Sequence, residues 1–173
     1  MNEQKKIGKS TKIVIAVIAV LAVVVAVLAI INRQNVMSRL ELVDYGTFLV
    51  TSGEDTHTVS IDDMRRLGPV AVTSSPRGER RDFTGVPLAA IFRHLQIDYS
   101  GASGVAFMSL DGFMSGVSLN EALDETNVFV VFEEDGEPLG TREEGGRGPY
   151  MIVVAQDPFP NRWARYLMEI ILQ

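Results

Sequence analysis

Cysteine is absent from all 173 residues of the chain, and only two histidines are present. Without a thiol the chain can form no disulfide, offer no thiolate nucleophile and hold no cysteine-based zinc site or iron–sulfur cluster. Two histidines leave little for a histidine-based metal site. The net charge of −6 gives no excess of basic groups over acids, so a general nucleic-acid-binding role is excluded as well.

Lysine is absent after residue 12, because all four lysines lie before that point, at Lys5, Lys6, Lys9 and Lys12. With Glu3 they give the first twelve residues a net charge of +3, whereas the rest of the chain has 12 arginines and 21 acids, a net charge of −9. A basic N-terminal segment followed by an acidic remainder indicates that the two parts of the chain lie in different environments.

Polar residues are absent from 13–31, where nineteen residues read IVIAVIAVLAVVVAVLAII. As a helix this run spans about 28 Å, which matches the hydrocarbon core of a bilayer. The preceding lysines predict a cytoplasmic N-terminus. The alternative is a cleaved secretory signal, although the run is longer than the core of about 7–15 residues that is usual for such signals.

The predicted organisation is therefore a cytoplasmic basic segment 1–12, a transmembrane helix 13–31, a linker 32–38 and an extracytoplasmic domain 39–173. This describes a single-pass protein of the cell membrane. About 135 residues are enough for one hydrophobic core, so 39–173 is expected to form a single domain.

Short apolar runs and turn signals predict a mixed-sheet α+β domain. Capping boxes at Ser60-x-x-Asp63 and Ser118-x-x-Glu121 predict short helices, and a third helix is predicted over 88–95. The final segment is predicted to be a strand, with Arg165 and Glu169 on the face opposite its apolar side chains. The other predicted strands are 39–51, 56–60, 70–73, 104–110, 113–117, 127–132 and 150–155, and the apolar face of the last one comprises Ala164, Tyr166, Met168, Ile170 and Leu172.

Five segments, taken in order, resemble the sulfite-oxidase-like molybdopterin-binding domain family over nearly all of 56–173. They are Asp82–Leu88 (DFTGVPL) before a short helix, Ser109–Phe113 (SLDGF), Asn127–Phe132 (NVFVVF) with Asp135–Leu139 (DGEPL), Gly148–Val154 (GPYMIVV) and Arg162–Leu172 (RWARYLMEIIL). The resemblance implies an α+β domain with short helices and a mixed, barrel-like sheet. In active members it also implies a molybdenum atom held by a pterin dithiolene and one cysteine.

This chain departs from the family pattern at the positions that hold the cofactor. The family's cysteine position falls near Ser74 or Ser75, and a serine oxygen is a hard ligand that replaces a soft thiolate poorly. Where the family has an arginine before the penultimate strand, this chain has Met151. Where the family has a proline at the end of that strand, this chain has Ala155. Arg165 alone falls where a basic contact to the pterin phosphate would match.

Arginines in two loops form a candidate anion pocket, because guanidinium groups bind phosphate and carboxylate through bidentate hydrogen bonds. The flexible Gly145-Gly146 pair would let backbone N–H groups approach such an anion. The favoured alternative is a solvated surface on which these arginines pair with neighbouring acids such as Glu79 and Asp82. The arginines are Arg77, Arg80 and Arg81 in loop 74–82 and Arg147 in loop 141–149.

The sequence thus predicts a membrane-anchored, extracytoplasmic binding or accessory module without redox chemistry, for which no cofactor or metal is expected and no catalytic residue is assigned. Molybdopterin is the cofactor that the resemblance implies. Its candidate contacts are Ser74, Ser75, Arg77, Arg81, Arg147 and Arg165, and the predicted partners are the membrane and an anionic small molecule or envelope protein. Two alternatives stay open: a molybdopterin oxidoreductase with a serine ligand or no protein ligand, and an envelope protein–protein interaction module. Trp163 is expected to pack beneath the last strand.

Overall fold

The computed structural model describes residues 14, 15, 17–28, 30 and 46–173. The chain divides into two compact units, 1–38 and 39–173. In the first unit the described residues are helical, and their valine, leucine and isoleucine side chains are exposed. Among all the residues described, no helix has both the length and the apolar character needed to cross a membrane. The predicted segments 1–12 and 32–38, parts of 13–31 and the start of strand 39–51 lie outside the described residues.

Residues 46–173 form ten strands and three short α-helices. The strands are β1 (Thr47–Ser52), β2 (Asp55–Ser60), β3 (Val70–Ser74), β4 (Arg81–Pro87), β5 (Gly104–Ser109), β6 (Met114–Ser118), β7 (Val128–Glu134), β8 (Glu137–Pro138), β9 (Met151–Val154) and β10 (Leu167–Leu172). The helices are α1 (Ile61–Arg66), α2 (Leu88–His94) and α3 (Leu119–Leu123), and single 3₁₀ turns occur at Pro76–Gly78 and Pro160–Arg162.

The strands form two sheets, which confirms the α+β class. One sheet has the order β2-β1-β10-β5-β6 and is mixed, because β1 runs parallel to β10 while its other pairs are antiparallel. The other has the order β3-β4-β7-β8, with β9 also paired to β7, and is antiparallel throughout. The prediction of a barrel-like sheet was wrong: closure requires two neighbours for every strand, and in the described domain β2, β3 and β6 each have one.

The core of this domain is continuous and contains side chains from both sheets. The central strands β7 and β9 are buried along almost their whole length, from Val128 to Phe132 and from Met151 to Val154. Such unbroken apolar runs are typical of strands covered on both faces. Phe48 of β1 contacts Tyr150 edge-on at 4.9 Å between ring centroids, so the start of β1 packs on the segment that leads into β9.

Both predicted capping boxes are present. Ser60 accepts a hydrogen bond from the Asp63 backbone N–H while the Asp63 carboxylate accepts from the Ser60 backbone, and Ser118 and Glu121 do the same at α3. Donation from Ser60, followed by the nearby Arg66, lowers the pKa of Asp63 to about 2. These two boxes set where α1 and α3 begin.

Strand β4 occupies residues that were predicted to be the end of a polar loop, 74–82, and the segment before the 88–95 helix. It pairs with β7 at a register shift between Thr84 and Gly85. A Cβ at Gly85 would lie 2.5 Å from the Val130 carbonyl oxygen, so glycine permits this close approach of the two backbones. The sequence signals here were the glycine and proline, which are also typical of a turn.

The last strand is present, but its predicted alternation breaks. Tyr166 has a φ of +50°, and the pairing of β10 with β5 shifts register between Leu167 and Glu169. Leu167 and Met168 are therefore both buried, and Tyr166 does not continue the apolar face.

Candidate functional site

Ser74 and Arg81 lie opposite each other on β3 and β4, at the end of the hairpin where the two strands are joined. Paired residues on neighbouring strands present their side chains on the same face of a sheet. Ser75 and Arg77 lie in the connection between these strands and are exposed. The Arg77 backbone N–H donates to the Pro158 carbonyl at 2.9 Å, so the connection is fastened to the segment between β9 and β10.

The Ser74 hydroxyl is buried and already has a partner. Its side chain is 2% exposed, and Oγ donates to the Ala155 carbonyl oxygen at 3.1 Å. Of the six candidate contact residues, only Ser74 is buried. A serine in this state is a structural hydrogen-bond donor between β3 and the end of β9.

Arg81 and Arg147 share one carboxylate, that of Glu134 at the end of β7. Arg81 Nη1 lies 3.1 Å from Glu134 Oε1, and Arg147 Nη1 contacts the other oxygen, Oε2. Burial, followed by the positive charges of Arg81 and Arg165, lowers the pKa of Arg147. The structure therefore brings two of the predicted arginines, Arg81 and Arg147, onto one carboxylate, that of Glu134, which the sequence did not assign to the arginine pocket.

The backbone of the glycine-rich loop holds Arg147 in place, and the N–H groups of Arg147 and of the loop's three glycines are all bonded within the protein. The Arg147 N–H donates to Leu139 at 2.8 Å and its carbonyl accepts from the Tyr166 N–H at 2.8 Å. The N–H groups of Gly145, Gly146 and Gly148 are likewise bonded to the carbonyls of Arg142, Thr141 and Gly140. The predicted approach of flexible Gly145-Gly146 to an anion is therefore not what this loop does.

Gly148 explains part of this rigidity. It has a φ of +93°, and a Cβ there would lie 2.6 Å from Tyr166 Cδ1 and 2.8 Å from Tyr166 Cα. The Tyr166 hydroxyl in turn donates to the Gly146 carbonyl. The glycines thus serve close packing between the loop and the start of the last strand.

Arg162 forms an ion-pair network that was not predicted. It donates to both oxygens of Asp157, at 2.8 and 2.5 Å, and to Glu121 at 2.9 Å. These bonds raise its pKa. Because Glu121 also caps α3, the network holds the β9–β10 connection against that helix, and the five-residue spacing of Asp157 and Arg162 was the available sequence signal.

Trp163 is buried, as the sequence predicts, but its contacts are with β4 and β9 and not with the last strand. Its ring is 8% exposed, meets Phe83 edge-on at 5.6 Å and donates from Nε1 to the Val154 carbonyl at 3.3 Å. Trp163 therefore joins β4, β9 and the β9–β10 connection in one apolar contact.

A cleft of about 940 Å³ opens beside the glycine-rich loop, and none of the six predicted contact residues lines it, although their neighbours Gly148 and Tyr166 do. Phe132, Leu139 and Tyr150 line it together with Arg65 and Arg142. The Tyr150 hydroxyl donates to the Gly46 carbonyl at 2.7 Å, and burial, followed by the charges of Asp63 and Asp62, raises its pKa. Tyr150 is thus a structural donor at neutral pH. Within the described residues no group of three or more histidine or acidic side chains is placed to hold a metal ion.

Two sheets flanked by short helices place this domain in the α+β class. The family model of the oxidoreductase molybdopterin-binding domain matches residues 75–173. The chain belongs to this family, and the resemblance seen in the sequence is confirmed.

Comparison with solved structures gives a match to the sulfane dehydrogenase SoxCD from Paracoccus pantotrophus, with a TM-score of 0.61 and 15% sequence identity. The match covers 75% of this chain and 38% of that one, so this chain corresponds to well under half of that protein. At this identity the likeness supports the fold. A search of curated proteins finds no match.

The residues present do not fit the metal centre that the resemblance implies. That centre needs one cysteine thiolate, and the sequence contains none. Ser74, one of the two serines near the corresponding position, donates its hydroxyl to the Ala155 carbonyl, while Glu134 adds a negative charge between Arg81 and Arg147, which were predicted to contact an anionic cofactor. The scaffold is kept, but the donor set for molybdenum is not.

Proposed function

We propose that residues 39–173 act as a binding or accessory domain without a molybdenum redox centre, and that 13–31 anchor them in the cell membrane. The observation that carries the first part is the buried Ser74 hydroxyl donating to the Ala155 carbonyl. To ligate a metal, Ser74 would have to lose that bond and its proton, and would still offer a hard oxygen in place of a soft thiolate.

The anchor is supported by the sequence of the first unit. The described residues of 14–28 are helical and expose large apolar side chains, which water disfavours and lipid tails accommodate. The lysines before them favour a cytoplasmic N-terminus. The domain would then lie on the extracytoplasmic side, where its partner is an anionic small molecule or an envelope protein.

Metal content tests the redox part of the proposal. The full chain is purified from a host that makes molybdopterin, and molybdenum and pterin are measured per chain. We expect far less than one molybdenum per chain in the wild type. Stoichiometric molybdenum would overturn the proposal and support the oxidoreductase alternative.

Two sets of variants sharpen this measurement. Ser74→Cys and Ser75→Cys each restore a thiol at one of the two candidate positions, and a gain of molybdenum in one of them shows that the thiol was the missing element. A Ser74→Ala/Ser75→Ala double variant serves as the control. If wild-type protein did contain molybdenum, its loss in this variant would identify serine ligation, and its retention would identify a centre without a protein ligand.

Single-cysteine labelling tests the anchor and its orientation, and the absence of native cysteine removes background. Glu54→Cys places a thiol on an exposed turn of the domain, and Gln4→Cys places one before the apolar run. A membrane-impermeant maleimide added to intact cells should label the first variant and not the second. The reverse pattern, or release of the full chain from membranes by alkaline carbonate, would overturn the anchoring proposal.

A further inference from the structure

Glu134 lies between two guanidinium groups, those of Arg81 and Arg147. Each of its oxygens contacts a different arginine, Oε1 with Arg81 and Oε2 with Arg147, and the side chains of Glu134 and Arg147 are 21% and 23% exposed. Arg165 is near enough for its charge to act on Arg147. The carboxylate therefore lies partly withdrawn from water, where its attraction to cations is stronger than at the surface.

The cluster carries more positive than negative charge. Arg81 and Arg147 bring two positive charges against the single charge of Glu134. Glu79 approaches Arg81 at 3.6 Å from a side chain that is 74% exposed, and Glu137, opposite Glu134 on β8, is exposed as well. An exposed partner of that kind contributes little. Among the other ion pairs that the structure describes, each guanidinium has at least one carboxylate of its own.

Guanidinium groups in this arrangement have donors to spare. Each arginine carries five N–H donors, and one carboxylate accepts only a few of them. Arginine is also the side chain best matched to planar or tetrahedral oxyanions. Arg81 on β4 and Arg147 in the loop before β9 therefore constitute an anion site whose present occupant is a side chain of the protein.

We propose that Glu134 is a built-in counterion that fills an oxyanion site formed by Arg81 and Arg147 and excludes small phosphate-like anions from it. This inference narrows the proposed function, because it removes a free small oxyanion as a partner of the unmodified chain. It is tested by anion binding, whereas the proposed function is tested by molybdenum content, so either can fail without the other.

Glu134→Gln tests the inference because it removes the charge and keeps the size of the side chain. Glu137→Gln is the matched control: Glu137 faces Glu134 across the β7–β8 pair, is exposed, and undergoes the same change of charge. Binding of inorganic phosphate to the full chain in detergent is measured by calorimetry at low ionic strength. We expect at least tenfold tighter phosphate binding by Glu134→Gln than by the wild type and by Glu137→Gln.

A further variant tests whether the gained affinity comes from this cluster. Adding Arg147→Gln to Glu134→Gln should abolish the gain. Equal phosphate affinity of Glu134→Gln and Glu137→Gln, or saturable binding by the wild type as tight as that of Glu134→Gln, would overturn the inference.

Stability measurements cover the case in which Glu134→Gln folds poorly. Its melting temperature should then rise with inorganic phosphate and remain low in sodium chloride of the same ionic strength, because phosphate supplies the missing negative charge and binds only the folded protein. A variant that phosphate does not restore better than chloride would show that Glu134 serves packing alone, and the inference would be wrong.

Discussion

The guanidinium of Arg162 donates two hydrogen bonds to the carboxylate of Asp157, from Nε at 2.8 Å and from Nη2 at 2.5 Å. The third donor, Nη1, reaches Glu121 on α3. The β9–β10 connection is thereby fixed to a helix distant in sequence. Because that connection also accepts from the Arg77 backbone, the Arg162 network indirectly supports the hairpin that contains Ser74.

Replacing Arg162 by methionine should destabilise the domain by about 1–3 kcal/mol, since it leaves two partly buried carboxylates without their cation. Arg93→Met is the control, because its partner Glu125 and Arg93 itself are 57% and 69% exposed. An exposed pair contributes about 0–1 kcal/mol. Urea unfolding measures both, and equal losses would contradict the structural role of Arg162.

Gly148→Ala should destabilise the domain by about 2–4 kcal/mol, because it combines an unfavourable φ with a clash against Tyr166. Gly136→Ala separates the two effects: Gly136 has a φ of +83° but nothing within 4 Å of the added Cβ. That variant should show the conformational cost alone, about 1–2 kcal/mol. If thermal unfolding gave both variants the same loss, the close contact of loop and Tyr166 would be refuted.

Asp63 predicts a specific acid sensitivity. Its folded-state pKa of about 2 lies below the ordinary value of 3.8, so its contribution is complete above pH 3.8 and is lost as the pH falls through 2. Allowing for partial exposure of the side chain, about 1–2 kcal/mol of stability depends on this group. Comparing melting temperatures from pH 6 to pH 2 should show a smaller decline in Asp63→Asn than in the wild type.

The neighbouring Asp62 provides the control for this pH experiment. It is exposed, so Asp62→Asn should decline with acid as the wild type does. Parallel curves for wild type and Asp63→Asn would mean that the capping carboxylate does not carry the effect.

Tyr150→Phe should cost about 0.5–1.5 kcal/mol through loss of the hydrogen bond to Gly46. The aromatic contact with Phe48 is retained in this variant, so a much larger loss would indicate a role beyond that bond. Tyr99→Phe, at a residue that is 44% exposed, should leave the free energy of unfolding almost unchanged. Chemical denaturation monitored by circular dichroism compares the two.

Local signals were sufficient for much of the secondary structure. The Ser60 and Ser118 boxes, the 88–95 helix and the buried runs of β7 and β9 depend on neighbours within a few residues, and each was found. Strand β4 was not predicted because glycine, here Gly85, is typical of turns. In the structure Gly85 instead permits the close approach of the β4 backbone to Val130 on β7.

The sequence by itself determined the missing thiolate, the apolar run 13–31 and the family, because these depend on composition and motif order. Only the tertiary structure decided which arginines meet, that Glu134 lies between them, and that Ser74 donates to Ala155. Glu134 and Arg147 are 13 residues apart, and Ser74 and Ala155 are 81 apart. Sheet pairing, strand bulges and loop packing bring such distant residues into contact, and no periodicity in the sequence encodes these contacts.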